Sequence, residues 1–370
     1  MIIDCHHHVI QHWIGACGHP SREVHARYIQ KMLTRTVAAT YRARDGAPSD
    51  TKALFRPGEE GWSGLGDVAI RVGRFGQLEF TVDGEDHYVQ YMPVGMQHYE
   101  APPELALAQM TYAGVDHAVL QAGGAYGAMS DYNAFAQNLY PDRLTGLMWV
   151  DEAMAGSDEG LAEIERARGL GLRGIYYNCE GFARHAWGWS LDDARMDPFF
   201  SKLAADDIIL CLELSPGPTY DKSGYVRCVQ SLETMLDRHK SIRIHLAMGP
   251  PVHHFGRSGH FEFPEEVLRV YRRDDFLVEI MLPITWGGVW DYPYPEARPL
   301  IEDMRNLLGA EKLIWGSDMP NVERFCTFRQ SLDYVRRYCT FFTPAEMDLV
   351  LGDNLDRMYR ISERRSRVRA

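Results

Sequence analysis

The chain opens Met1-Ile2-Ile3-Asp4-Cys5-His6-His7-His8, an apolar start that runs directly into consecutive imidazoles. On a strand alternate residues share a face, so His6 and His8 point together while His7 faces the other way. Two imidazoles at that spacing can chelate one metal ion. Strands that end in ligands are the habit of parallel barrels, where catalytic groups gather at the C-terminal strand ends.

The rest of the chain carries the same design. Short apolar runs recur at 1–4, 116–122, 144–150, 172–177, 208–214, 242–247, 276–282 and 313–316. Their apolarity is continuous rather than alternating, which implies burial on both faces. Stretches of helical character separate them, such as 160–170, 198–205, 226–240 and 295–308. Strand and helix alternating eight times predict an α/β fold, a (β/α)8 TIM barrel, in preference to a doubly wound open sheet.

At 370 residues the chain accommodates one barrel and a large insertion, so 1–370 reads as a single metal-dependent domain. The gap between the first two runs is too long for a loop, which places an insertion or cap at 10–105, after strand 1. Within it, the segment from Gln77 to Tyr91 reads as a hairpin turning at Asp83-Gly84. Its position after strand 1 predicts an insertion over the active-site face that helps roof the pocket, the alternative being an added surface subdomain with no role in catalysis. Residues after Tyr359 read as a charged, fraying tail.

The formal charge of -12, with no basic block before the Arg-rich end, argues against nucleic acid as a partner. No apolar run approaches the roughly 20 residues of a membrane span, and the N-terminus lacks the regions of a signal peptide. A cytoplasmic protein is expected. The seven cysteines form no CxxC pair and read as reduced core residues.

Three later strand ends carry further metal-competent groups: Glu213 in Leu-Cys-Leu-Glu-Leu-Ser, His245 in Ile-Arg-Ile-His-Leu-Ala, and Asp318 in Trp-Gly-Ser-Asp-Met-Pro. With His6 and His8 they give an expected ligand set of three imidazoles and two carboxylates. His253, His254 and His185 lie near enough to strand ends to serve as further ligands or in an outer shell, as does Tyr176.

This pattern resembles the amidohydrolase superfamily, and within it the amidohydrolase-2 group typified by aminocarboxymuconate-semialdehyde decarboxylase. The resemblance spans nearly the whole chain. It rests on His6-x-His8, the stretch 113–120, Tyr132-Asn133, the stretch 140–143, His245 with Gly249, 316–320 as Gly-Ser-Asp-Met-Pro, and the stretch 352–359. It implies metal or near-metal roles for His6, His8, His245 and Asp318, with Asp318 handling protons and His245 orienting or activating water. Two departures stand out. Glu213 replaces the strand-five His of the group, and Tyr176 and Tyr177 stand where other amidohydrolases carry a strand-four Lys.

The exchange of imidazole for carboxylate at Glu213 makes the shell harder and more anionic, which suits iron or manganese. Glu213 could bridge two ions. The favoured expectation is therefore a nonheme iron monooxygenase with two irons and an electron donor, with Asp318, His245 and Glu213 as catalytic groups. The alternative is a zinc- or manganese-dependent nonoxidative decarboxylase or hydrolase, in which Asp318 becomes the general base. A barrel that has lost its metal is a third class, opposed by five metal-competent positions. Trp187, Trp189, Tyr220, Phe255, Met281, Trp286 and Trp290, with only Arg184 and Arg257 as cations, point to a bulky apolar substrate carrying an acid or thioester. A homodimer is expected from related barrels.

Overall fold

A computed structural model describes residues 1–13, 15–33, 39–49, 54, 64–97, 99–179, 190–214, 221–281 and 290–369. The barrel strands are β1 (Ile3–His7), β2 (His117–Leu120), β3 (Leu144–Gly146, resumed as Met148–Trp149), β4 (Gly174–Asn178), β5 (Ile209–Glu213), β6 (Ile244–Leu246), β7 (Phe276–Ile280) and β8 (Leu313–Trp315). Each lies parallel to the next. The ring returns from β8 to β1 through two backbone bonds, His8 N–H to the Met319 carbonyl at 2.7 Å and Asp318 N–H to the His6 carbonyl at 2.8 Å. This is the expected α/β architecture, a (β/α)8 barrel. Every residue of all eight strands is buried. Burial on both faces is why their sequences read as unbroken apolar runs.

The seam between β8 and β1 is tied by side chains as well. Asp4 is fully buried and accepts four bonds: from the Ser317 N–H at 2.9 Å, the Ser317 hydroxyl at 2.6 Å, the His6 N–H at 3.1 Å and the His7 ring at 3.0 Å. A buried carboxylate is tolerated only when its oxygens are satisfied in this way. His7 faces away from the barrel axis and packs edge-on against Phe328.

Between β1 and β2 lie helix Arg22–Leu33 and a five-stranded antiparallel sheet. The hairpin pairs Val82 with Glu85, and both turn residues, Asp83 (φ 51°) and Gly84 (φ 78°), are left-handed. That is the turn an Asp-Gly pair favours, because its twist matches the strands. Ile10, Trp13, Ile29, Phe80 and Tyr99 form a second apolar core beneath this sheet. The helix side is fastened to the loop after β2, where His19 donates to the Gly124 carbonyl at 2.8 Å and His25 reaches the Ala125 carbonyl at 2.8 Å.

The C-terminal end differs from the frayed tail expected of its charge. Helix Ile361–Arg369 continues the chain, anchored by the fully buried Ile361 and by bonds from Ser362 to Asp356. All seven cysteines are thiols, and no helix among the described residues is long and apolar enough to cross a membrane.

Two buried histidines of the fold carry a pH dependence. Burial pushes His117 down to about 3, against the opposing Asp142 carbonyl contact, and pushes His19 down to about 4. The His117 ring suits the neutral form, with Nδ1 at 3.2 Å from the Asp142 carbonyl and Nε2 at 2.8 Å from the Thr145 hydroxyl. The unfolded chain takes up these protons below about 6.5 while the folded chain refuses them. Stability is therefore complete above that pH and is lost as pH falls toward 4, by about 1.4 kcal/mol per pH unit for each fully buried group. Urea midpoints should fall steeply between pH 6.5 and 4.5, and less steeply in His117→Gln. A flat profile in the unaltered protein would contradict this account.

Candidate metal centre

His6 and His8 emerge from the C-terminal end of β1, and Asp318 follows β8 two residues after Gly316. His8 Nε2 lies 2.9 Å from Asp318 Oδ1, and His6 Nε2 lies 3.6 Å from the same oxygen. The three residues offer donor atoms that all lie within 4.8 Å of one another, and all three are buried. Asp318 holds a left-handed backbone (φ 59°), a conformation a non-glycine residue keeps only where its surroundings impose it. Asn321 donates to Asp318 Oδ1 at 2.9 Å and to the Tyr126 hydroxyl at 2.7 Å. Tyr126 in turn stacks on His8, with ring centroids 4.4 Å apart, and its hydroxyl meets that of Tyr91 from the insertion at 3.3 Å.

Electrostatics favour an anionic Asp318. Burial pushes its carboxyl up, but the His8 hydrogen bond, the charges of His6 and His8 and the Asn321 amide outweigh burial and hold it below the ordinary range. For His6, burial pushes down, while the charge and hydrogen bond of Glu279, then Asp318 and Asp4, raise the ring to about 9. For His8 burial prevails and lowers it. A divalent cation fits this donor set on chemical grounds. Two imidazoles and one carboxylate converge, and the other nitrogen of His6 is held by an acid, as is usual for metal-bound histidines. His8 Nδ1 is buried without a partner among the described residues.

The five expected ligands divide among three places. His6, His8 and Asp318 form the group above. Glu213 ends β5 beside β4, where its Oε2 accepts from the Tyr176 hydroxyl and from Asn178 at 2.9 Å. Among the described residues it belongs to no group of three metal-competent side chains. His245 sits in the middle of β6 and is fully buried; its Nε2 lies 2.6 Å from Glu279 and its Nδ1 3.0 Å from the Tyr359 hydroxyl. His253 and His254 lie on the short helix Val252–Phe255, with ring centroids 4.0 Å apart. His185 lies outside the described residues, as do Arg184, Trp187, Trp189, Tyr220 and Trp286. Phe255, expected to line the pocket, is instead fully buried against Tyr225 and Phe263. Arg257 is exposed and pairs with Glu262.

Glu279 on β7 is the residue the sequence reading missed. Its Oε2 lies 2.9 Å from His6 Nδ1 and accepts the Met248 N–H at 2.7 Å; its Oε1 lies 2.6 Å from His245 Nε2 and accepts from Gln121 at 2.8 Å. Burial pushes this carboxyl up, but the two histidines outweigh it and hold it far below the usual range. Cys5, His245 and Glu279 make a second group of donor atoms within 4.8 Å. There Glu279 lies within hydrogen-bond distance of four nitrogens, those of His6, His245, Met248 and Gln121. The available signal was a lone acid inside the apolar run Phe-Leu-Val-Glu-Ile, because a charge buried in a strand must have partners.

The amidohydrolase family pattern matches residues 3–361. No curated protein matches the sequence. Among solved structures, an uncharacterised TIM-barrel protein from Bordetella bronchiseptica is similar at 16% identity, with a TM-score of 0.56, over 98% of this chain and 99% of that one. A probable 2-pyrone-4,6-dicarboxylic acid hydrolase from Acinetobacter baumannii aligns at 18% identity and a TM-score of 0.53, over 71% of this chain and 90% of its own. A 5-carboxyvanillate decarboxylase from Novosphingobium aromaticivorans, solved with manganese, aligns at 18% identity and a TM-score of 0.50, over 69% and 80%. At such identities the likeness speaks to the fold, whereas the family match runs nearly from end to end. This chain belongs to the amidohydrolase family.

Proposed function

We propose that the protein is a metal-dependent enzyme carrying out nonoxidative decarboxylation or hydrolysis of a cyclic, largely apolar carboxylic acid. The observation that carries this reading is the convergence of His6, His8 and Asp318 at the β1 and β8 strand ends of an amidohydrolase barrel. The acids named for the similar hydrolase and decarboxylase suggest the substrate class. A divalent ion held by these three residues would polarise a bound carboxylate or carbonyl, or acidify a bound water. His6 and His8 present their Nε2 atoms, and Tyr126 keeps the His8 ring in place by stacking. Among the described residues His8, His6 and Asn321 all meet Asp318 at Oδ1, which leaves Oδ2 to take up and return a proton. The insertion contributes Tyr91 to the wall beside Tyr126.

The case for two irons rested on Glu213 enriching one shell in carboxylate. Among the described residues Glu213 joins no group of three metal-competent side chains, and the family together with its hydrolase and decarboxylase neighbours supports the nonoxidative reading better. A single iron retains one supporting observation, since two imidazoles and one carboxylate are also the donor set of iron oxygenases. The two readings separate experimentally. Protein purified without added metal, analysed for bound metal and reloaded with zinc, manganese or iron, should release CO2 or hydrolysis product from a panel of aromatic and pyrone acids under anaerobic conditions. Turnover only with iron, O2 and an electron donor would reject the proposal in favour of an oxygenase.

A further inference from the structure

The buried acid on β7 has one face toward the proposed metal group and the other toward the barrel interior. We propose that Glu279, anchored by His245, is the positioning residue that fixes the His6 ring for metal binding. The inference rests on the metal-dependent reading above and concerns a residue and a role beyond it.

His6 has two ring nitrogens with different neighbours. Nε2 faces Asp318, and Nδ1 lies 2.9 Å from Glu279 Oε2. A carboxylate can only accept, so the Nδ1 proton stays on the Glu279 side and the Nε2 lone pair is presented to the ion. The same contact sets the ring plane and raises the basicity of the ligand. Glu279 is itself held from three directions. Gln121 reaches it from just beyond β2, His245 from β6, and the Met248 amide from the turn after β6, where Met248 (φ 65°) and Gly249 (φ 63°) are both left-handed. Gly249 has no room for a side chain, because a Cβ would lie 2.4 Å from the Glu279 carbonyl oxygen. His245 is fixed in turn by the Tyr359 hydroxyl at 3.0 Å.

This arrangement gives His245 a different task from that of a ligand. Both of its nitrogens are engaged, one by Glu279 and one by Tyr359, so it orients the acid that orients His6. The chain Tyr359, His245, Glu279, His6 thus runs from the C-terminal helical segment to the metal group and spans four separated parts of the sequence.

The test measures affinity for zinc alone by competition with a chromogenic chelator, in the full-length protein and its variants. His6→Ala and His8→Ala should abolish tight binding; if both bind like the unaltered protein, the metal centre itself is misplaced. With that control passed, Glu279→Gln should weaken zinc binding about 10- to 100-fold while keeping the circular dichroism spectrum of the unaltered protein. His245→Gln should weaken it in the same direction by less, since Glu279 keeps its other donors. Cobalt loading supplies a readout that a merely structural role would not move: the exchangeable ring N–H of His6 should give a shifted proton signal that is lost in Glu279→Gln. Zinc affinity within about threefold of the unaltered protein in Glu279→Gln, with the cobalt signal intact, overturns the proposal. If Glu279→Gln does not fold, unchanged affinity and an unchanged cobalt signal in His245→Gln overturn it equally.

Discussion

Asp318→Asn should lower turnover by between about a hundredfold and ten-thousandfold, the usual contribution of a positioned acid or base. Asparagine keeps an oxygen that can face His8 and Asn321, so the seam between β8 and β1 should hold and the melting temperature should move little. What it loses is the negative charge and a proton-accepting Oδ2. In the unaltered protein the charge is secured by the histidines and Asn321, which hold the carboxyl below its ordinary range. The anion is therefore available throughout the neutral region. The loss should appear in kcat at saturating metal, because excess zinc or manganese compensates for weaker binding but cannot restore the base. Equal kcat in the two proteins at full metal loading would remove Asp318 from the proton-transfer role.

The barrel was legible because parallel strands buried on both faces leave continuous apolar runs, and all eight runs became strands within a few residues of their expected limits. The hairpin at Asp83-Gly84 was legible for a local reason, two left-handed positions in succession. His6 and His8 were legible because the period of a strand puts them on one face. The supporting groups were not, and the reason is sequence distance. His245 reads as a candidate ligand from its strand alone, and its neighbours Glu279 and Tyr359 lie 34 and 114 residues away. Glu279 lies 273 residues from His6, and no local pattern links an acid in one strand to an imidazole in another. Glu213 illustrates a second kind of long-range dependence. A carboxylate at a strand end reads as a ligand from its position alone, whereas its neighbours on the adjacent strand, Tyr176 and Asn178, come from 37 and 35 residues away.

Gly316→Ala should damage both the fold and the site, because this glycine sets how closely β8 approaches β1. A Cβ there would lie 2.8 Å from the His6 Cβ, 2.9 Å from the Cys5 sulfur and 3.3 Å from the His6 backbone nitrogen. The two His6 atoms are fixed to the backbone, and the Cys5 sulfur ends a side chain too short to swing far. Cys5 is fully buried, and His6 is tied through its backbone to Asp318 and Asp4. The strands must move apart, and the movement falls between His6 on one side and Asp318 on the other. Overpacking of this kind costs about 1–3 kcal/mol, which should lower the melting temperature by several degrees. The larger effect should be on catalysis, where a displacement approaching 1 Å between reacting groups can reduce the rate about a hundredfold. The combination distinguishes this seam from an ordinary tight spot. Gly146, on β3, would also clash, with a Cβ at 2.7 Å from the Asn133 carbonyl oxygen and 2.9 Å from Leu172, neither of them a residue of the metal group. Gly146→Ala should therefore destabilise the protein while its folded fraction keeps normal kcat/KM, whereas Gly316→Ala should lose kcat/KM even at temperatures where it is fully folded. Equal specific activity in the two folded variants would mean that the β8–β1 spacing does not control the metal group.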